Sequence, residues 1–174
     1  MATALIILSI IIWGASLVML FRKIMLAPVL SFIALFVLSL AQEDTLPILP
    51  VNNVILISWL SITVVATVAT MLQPEQVRET KFGMGYMTLG ALAGMAAGLL
   101  GFTITDDMPM RYSIMAVATI AGTFFGYLLF NNTPRGRERQ FSFFNYLMAK
   151  GFPVAITMMQ IGVALVIAIA IYQI

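Results

Sequence analysis

The sequence contains no cysteine and no histidine. Their absence excludes disulfides, thiolate nucleophiles, Fe–S ligation, haem ligation by histidine and zinc sites built on either residue. It also excludes catalytic pairs in which an imidazole is the general base. An enzyme would have to use carboxylates, tyrosines and lysines, and none of these is clustered along the chain. We therefore expect no metal, no cofactor and no enzymatic activity.

Charged side chains are also scarce. They make up 9% of the 174 residues, hydrophobic side chains make up 61%, and the mean hydropathy is +1.04. A typical soluble domain has about 25% charged and about 45–50% apolar residues. The composition therefore predicts an all-α integral membrane protein, and it excludes both a soluble globular domain and a disordered chain.

The charged residues divide the chain into apolar segments of about the length that crosses a membrane. A helix needs about 20 mostly apolar residues to span about 30 Å of hydrocarbon. We predict a single transmembrane domain, 1–174, formed by a bundle of six transmembrane helices with short loops. The predicted spans are Ala2–Leu20, Ile24–Leu40, Asn53–Leu72, Gly83–Thr103, Tyr112–Phe130 and Phe152–Tyr172.

Basic residues concentrate in alternate connectors. The connectors after the second and fourth spans hold one basic residue, Arg111, whereas those after the first, third and fifth hold seven. The positive-inside rule therefore predicts an inner-membrane protein with cytoplasmic odd-numbered connectors and with both termini outside. The basic cluster after the fifth span is also a candidate contact for anionic lipid headgroups. The seven residues are Arg22, Lys23, Arg78, Lys81 and, in that cluster, Arg135, Arg137 and Arg139.

The segment 141–150 precedes the sixth span and is rich in aromatic residues. One helix running from here through the sixth span would be about 50 Å long, which exceeds the bilayer thickness. With a break at Gly151 and Pro153, the pattern predicts a short amphipathic helix in the cytoplasmic interface, with Lys150 near the headgroups. The alternative is an aromatic belt at the start of the sixth span.

Small residues recur at four-residue spacing in the fourth and fifth spans. Such residues share one helix face and let backbones approach closely, which matters where lipid supplies no hydrophobic drive. This glycine zipper predicts tight packing within one chain or across an oligomer interface, and the alternative is a pore or sliding surface lined by glycine. The helix-packing candidates are Gly83, Gly90, Gly94, Gly98, Gly101, Ala118, Gly122 and Gly126.

A few polar side chains lie inside the spans. Thr63, Thr67 and Thr70 share one face of the third span, and Gln160 lies in line with Thr157 in the sixth. An amide in hydrocarbon needs a hydrogen-bond partner, so one interpretation is a bond from Gln160 to another helix. The other is a polar path through the membrane. Because no charged residue lies at the centre of a span, the sequence disfavours a proton relay or a voltage sensor.

No motif in the sequence identifies a family, so function has to be argued from its sites. The uncharged spans, glycine faces and short loops favour a non-catalytic membrane subunit or scaffold of a larger envelope or transport complex. The threonine face and Gln160 favour the alternative, a small homo-oligomeric channel or carrier for a neutral or weakly charged solute. The expected partners are membrane lipids and either other membrane subunits or further copies of the chain, without nucleic acid.

The predicted orientation can be tested with single cysteines, because the chain has none of its own. The Asn132→Cys variant, in the fifth connector, should react only with reagents that reach the cytoplasm. The Gln42→Cys and Asp107→Cys variants, in the second and fourth connectors, should be labelled from outside intact cells and serve as matched controls. Labelling of Asn132→Cys by an impermeant reagent in intact cells would contradict the orientation.

Overall fold

The computed structural model describes residues 2–41, 53–138 and 141–172. Every element in these ranges is helical, which confirms the all-α prediction. Within them lie six long helices: α1 (Ala2–Arg22), α2 (Ala27–Ser39), α3 (Asn53–Met71), α4 (Met84–Leu99), α5 (Met108–Asn131) and α6 (Phe152–Tyr172). Shorter helical turns occupy Ile24–Leu26, Glu75–Glu79, Gly101–Ile104, Pro134–Arg137 and Phe143–Tyr146, and a π-helical turn occupies Leu147–Gly151.

Local sequence signals account for several helix boundaries. α2 has Pro28 in its first turn, where the missing N–H costs no intrahelical hydrogen bond. α4 follows Gly83, whose φ of +78° lies in the left-handed region that favours glycine. The turn at Pro134–Arg137 is capped by Thr133, whose hydroxyl accepts a 3.1 Å hydrogen bond from the backbone N–H of Gly136. Each of the six long helices overlaps one predicted span.

The fourth predicted span, Gly83–Thr103, is not a single helix. α4 ends at Leu99, and the chain turns again over Gly101–Ile104. The backbone N–H of Leu100 bonds to the carbonyl oxygen of Ala97 at 3.1 Å, and a bond three residues back tightens and closes the end of an α-helix. α4 is therefore shorter than its apolar segment.

The prediction of a separate interfacial helix over 141–150 is wrong. The chain stays helical from Phe143 to Tyr172, with the π-helical turn at Leu147–Gly151 in place of a break. An α-helical turn leading into Pro153 would lose a hydrogen bond and bring the proline ring against the carbonyl of the preceding turn. The wider π turn directly before it lets the helix pass the proline.

The burial of this segment also differs from that of a helix lying in an interface. Tyr146, Ala149 and Lys150 are all buried, although the pattern predicts Lys150 near the headgroups. Phe143 and Phe144 are exposed. The segment therefore forms the first part of the sixth helix, as the alternative interpretation assumed.

The helix that ends in α6 is the central one in the bundle. Within Phe143–Ala168, 78% of the most apolar stretch is buried, against 28% for Thr3–Arg22, 17% for Val54–Met71 and 33% for Pro109–Asn131. α1 and α2 form one antiparallel hairpin beside α6, and α4 and α5 form another. α3 packs against α2 and α6.

The outer surface of the bundle is apolar. Leu89, Val117 and Phe125, for example, are 67%, 67% and 61% exposed. Soluble monomers rarely expose contiguous apolar surface on this scale. Among the described residues, α2 with its preceding turn and α4 are apolar but short, whereas four stretches are long and apolar enough to cross a membrane. These four are Thr3–Arg22, Val54–Met71, Pro109–Asn131 and Phe143–Ala168.

α4 and α5 make the most extensive helix contact in the described part of the chain, and glycine brings their backbones together. A Cβ atom placed on Gly94 would lie 2.9 Å from the carbonyl carbon of Ala118, and one on Gly122 would lie 2.9 Å from the Cα of Gly94. Both distances are shorter than real Cβ atoms show, so only glycine fits. The structure therefore places this face inside one chain. The other glycines that meet the facing backbone are Gly90, Gly98 and Gly126.

Gly83 and Gly101 lie outside this backbone contact. A Cβ on Gly83 would come within 2.6 Å of the Phe130 ring, and the left-handed backbone conformation independently favours glycine there. A Cβ on Gly101 would meet a side-chain atom of Ile114 at 2.7 Å. Both glycines lie just outside α4, which begins at Met84 and ends at Leu99, and they therefore contact side chains instead of the facing backbone.

The close approach of α4 and α5 predicts that Gly94→Leu is strongly destabilising. Inserting bulk into a packed contact costs about 1–3 kcal/mol, and more where the obstacle is backbone that cannot move aside. The matched control is Leu89→Ala on the exposed face of the same helix, which should change the free energy of unfolding by less than about 0.5 kcal/mol. Melting temperatures in detergent would measure both, and equal values for wild type and Gly94→Leu would contradict the contact.

Candidate functional site

A polar network lies in the middle of the bundle and joins three helices. Gln160 of α6 donates from Nε2 to Thr63 Oγ1 of α3 at 2.6 Å, and Ser31 of α2 donates to Gln160 Oε1. All three side chains are buried, at 0%, 3% and 0% exposure for Gln160, Thr63 and Ser31. The amide of Gln160 is therefore paired at both ends, by two different helices.

The two hydroxyl groups of this network are also tied to their own helices. Thr63 Oγ1 donates to the carbonyl oxygen of Trp59 at 2.7 Å, and Ser31 Oγ lies 3.0 Å from the carbonyl oxygen of Pro28. Such bonds satisfy a hydroxyl within its own helix. Thr63 can thus accept from Gln160 while its own proton is used elsewhere.

The other threonines singled out by the sequence do not join the network. Thr67 and Thr70 donate to the carbonyl oxygens of Thr63 and Ala66 in their own helix, at 2.9 and 2.8 Å. Thr157 is buried, and its hydroxyl has no hydrogen-bond partner among the described residues. Of the predicted polar set, the structure therefore brings only Gln160 and Thr63 together, and it adds Ser31, which no pattern in the sequence indicated.

Most of the residues around Gln160 along α6 are apolar. Ile156, Val163 and Ala164 lie one turn away and are buried, and the buried hydroxyl of Thr157 is the polar group at the same distance. A buried amide paired to neighbouring helices stabilises helix association. The arrangement can hold α2, α3 and α6 in register, and the network of Gln160, Thr63 and Ser31 contains no titratable side chain.

A second polar feature, a cleft of about 450 Å³, lies at one end of the bundle. It is enclosed by the connectors α1–α2 and α3–α4 and by the helix leading into α6. Two of the three predicted odd-numbered connectors, the first and the third, therefore meet at one end of the bundle. Among its described lining residues are five cationic side chains and one carboxylate, namely Arg22, Lys23, Arg78, Lys81, Lys150 and Glu79.

Lys150 is the buried member of this basic cleft. It is 3% exposed, and its ammonium group donates to the backbone carbonyl oxygen of Arg78. Across residues 2–41, 53–138 and 141–172, the one ion pair found joins Arg111 and Asp106, at the opposite end, with 3.0 Å between N and O. The charge pattern of these basic connectors predicts only their orientation. Their alternation was the available signal for a shared site, because connectors on one side of a bundle lie close together.

The basic cluster after the fifth span lies apart from the cleft. Arg135 and Arg137 are exposed on the short turn Pro134–Arg137 and do not line it. Arg139 lies outside the described residues. The candidate lipid contact at this cluster stays a prediction.

Comparison of the chain with protein-family models, with curated proteins and with solved structures finds no match. The function has to be argued from the two sites described above.

The Gln160 network predicts different effects for two threonines of one helix. Thr63→Val keeps the side-chain shape but leaves the amide of Gln160 without its acceptor, which should destabilise the fold by about 1 kcal/mol. Thr67→Val is the matched control, because that hydroxyl bonds only within α3, and its effect should be near zero. Unfolding in a mixed-detergent titration would measure both. Equal stability of the two variants would contradict the interhelix bond.

Proposed function

We propose that the protein is a non-catalytic integral membrane subunit or scaffold, which works within a larger envelope or transport complex. The observation that carries this proposal is that the amide of Gln160 is fully buried and is hydrogen-bonded by Ser31 and Thr63. A central polar group that lined a transport path would face an opening. Here it fastens helices to one another.

The membrane setting is supported by the apolar exterior and by the four helical stretches of spanning length. We propose that α2 and α4 cross the membrane as well, which gives six spans. α2 with its preceding turn (Ile24–Ser39) and α4 (Met84–Leu99) each reach about 24 Å, somewhat less than the hydrocarbon thickness. Both pack between longer neighbours, and the bilayer accommodates a mismatch of this size at modest cost. The basic end then faces the cytoplasm.

The outer face of α3 supports a role in assembly. Only 17% of its apolar stretch is buried, the smallest share among the four long stretches. The exposed hydroxyls of Ser58 and Ser61 donate to carbonyl oxygens of their own helix, both at 2.8 Å. Because these hydroxyls are satisfied internally, the face can lie against lipid or a partner helix without leaving a polar group unpaired.

The alternative, a small channel or carrier, makes a different prediction for Gln160. If the side chain is structural, Gln160→Leu removes interhelix hydrogen bonds worth about 0.6–1.7 kcal/mol and leaves permeability unchanged. If it lines a path, the same change creates a hydrophobic constriction that closes by dewetting. We expect a slightly lower melting temperature and unaltered solute permeability of proteoliposomes.

The experiment compares wild type, Gln160→Leu and the control Thr67→Val in the same two assays. Melting temperature in detergent reports stability, and liposome swelling with a panel of neutral solutes reports permeation. A Gln160→Leu protein that is stable and assembled, but has lost a flux that wild type and control both show, would overturn the proposal and establish the channel. Purification from native membranes adds an independent check, since a subunit should retain a partner in fixed stoichiometry.

A further inference from the structure

The basic cleft holds more positive charge than its one described carboxylate can neutralise, since Glu79, which interacts electrostatically with Lys150, faces five cations. Arg22 ends α1, Lys23 follows it, and Arg78 and Lys81 come from the α3–α4 connector. Among the described residues no carboxylate oxygen lies within 4.0 Å of the charged group of any of them. Residues far apart in the sequence therefore bring like charges together at a partly exposed site, and an anion bound between them would relieve their repulsion.

Lys150 gives the cleft a fixed donor. Its side chain is 3% exposed, it lines the cleft, and one N–H bonds to the carbonyl oxygen of Arg78. A lysine ammonium has three donors, and within the described residues the structure shows no acceptor for the other two. A buried ammonium is costly without a compensating partner. These donors point to an oxygen-rich anion as that partner.

Part of the cleft lining is apolar, which narrows the class of ligand that fits. Leu20, Ile24 and Met84 line the cleft and are buried, whereas Lys23 and Lys81 are exposed. A volume of about 450 Å³ is within the range of small-molecule sites and exceeds what a simple ion fills. Basic pockets at the cytoplasmic ends of membrane helices suit phosphate headgroups, with cations around the phosphate and apolar surface below it.

We propose that this cleft binds a phosphate group, carried either by the headgroup of an anionic phospholipid or by a soluble phosphate compound. Lys150 is the central donor, and the connector residues Lys23 and Lys81 close around the phosphate oxygens. Binding joins the α1–α2 and α3–α4 connectors to the start of the α6 helix, so the ligand stabilises the basic end of the bundle.

The test measures thermal shifts of the full chain in a non-ionic detergent with three probes. These are dioctanoyl phosphatidylglycerol, dioctanoyl phosphatidylcholine and inorganic phosphate. The anionic lipid should raise the melting temperature with saturation, and the zwitterionic lipid should not. Saturation by inorganic phosphate at comparable concentration identifies a soluble phosphate as the ligand type, whereas a response to the anionic lipid alone identifies a headgroup.

Two cleft variants and one matched control localise the site. Lys150→Met and the double variant Lys23→Gln/Lys81→Gln should each raise the probe concentration that gives half of the maximal shift at least about tenfold, since charge-assisted hydrogen bonds are lost. The control Arg135→Gln/Arg137→Gln removes the same charge from the candidate lipid contact after α5, outside the cleft. Exposed arginines there attract headgroups only diffusely, so saturable binding should stay within about twofold of wild type. The double variant changes exposed residues only, so it decides the matter if Lys150→Met fails to fold.

Two results would overturn the proposal. One is the lack of any shift with both anionic probes. The other is an equal loss in the control and in the cleft variants, because binding would then follow the total charge of the membrane face and not the cleft.

Discussion

The burial of α6 among all five other long helices is the constraint on which the rest of the bundle depends. In a lipid environment, whose tails are as apolar as the helix itself, no hydrophobic drive would hold it in the centre, and packing and hydrogen bonds would have to secure its position. Gln160 supplies the bonds, since its amide is paired by Ser31 and Thr63 from two neighbouring helices. Gly162 supplies close packing, because a Cβ there would lie 2.8 Å from the sulfur of Met115 and 3.0 Å from the side chain of Met95. One helix thus ties the two hairpins together.

The hairpins on either side are held by different means. In α1–α2, the hydroxyls of Ser9 and Ser16 donate across the contact to carbonyl oxygens of α2, at 2.9 and 2.8 Å. In α4–α5, the contact positions are glycines, which carry no side chain, so the helix backbones meet directly. Both solutions use small residues, which is typical of membrane helices that must approach closely. The large side chains are left to cover the outside.

At the basic end of the bundle, side chains of the sixth helix bond to backbone carbonyl groups of the α3–α4 connector. The hydroxyl of Tyr146 donates to the carbonyl oxygen of Phe82, and its ring stacks on Phe130 with 6.1 Å between centroids. Lys150 donates to the carbonyl oxygen of Arg78. These contacts fix the start of the sixth helix against the α3–α4 connector and the end of α5. They explain why Tyr146 and Lys150 face inward, and they position a buried ammonium at the edge of the cleft.

Features that depend on local composition could be predicted from the sequence alone. Apolar length and the scarcity of charge predict six helices at the observed positions, and the four-residue spacing of glycine predicts which faces of α4 and α5 allow close approach. The course of the chain at Pro153 was decided by tertiary structure, because a π turn and the inward packing of Tyr146 and Lys150 keep the helix continuous where composition indicates a break. The same holds for Ser31, which meets Gln160 across 129 positions of sequence, and for the cleft, whose cations come from three separated segments. Pairing over such distances depends on how the helices are arranged around α6, and hydrophobic periodicity carries no information about that arrangement.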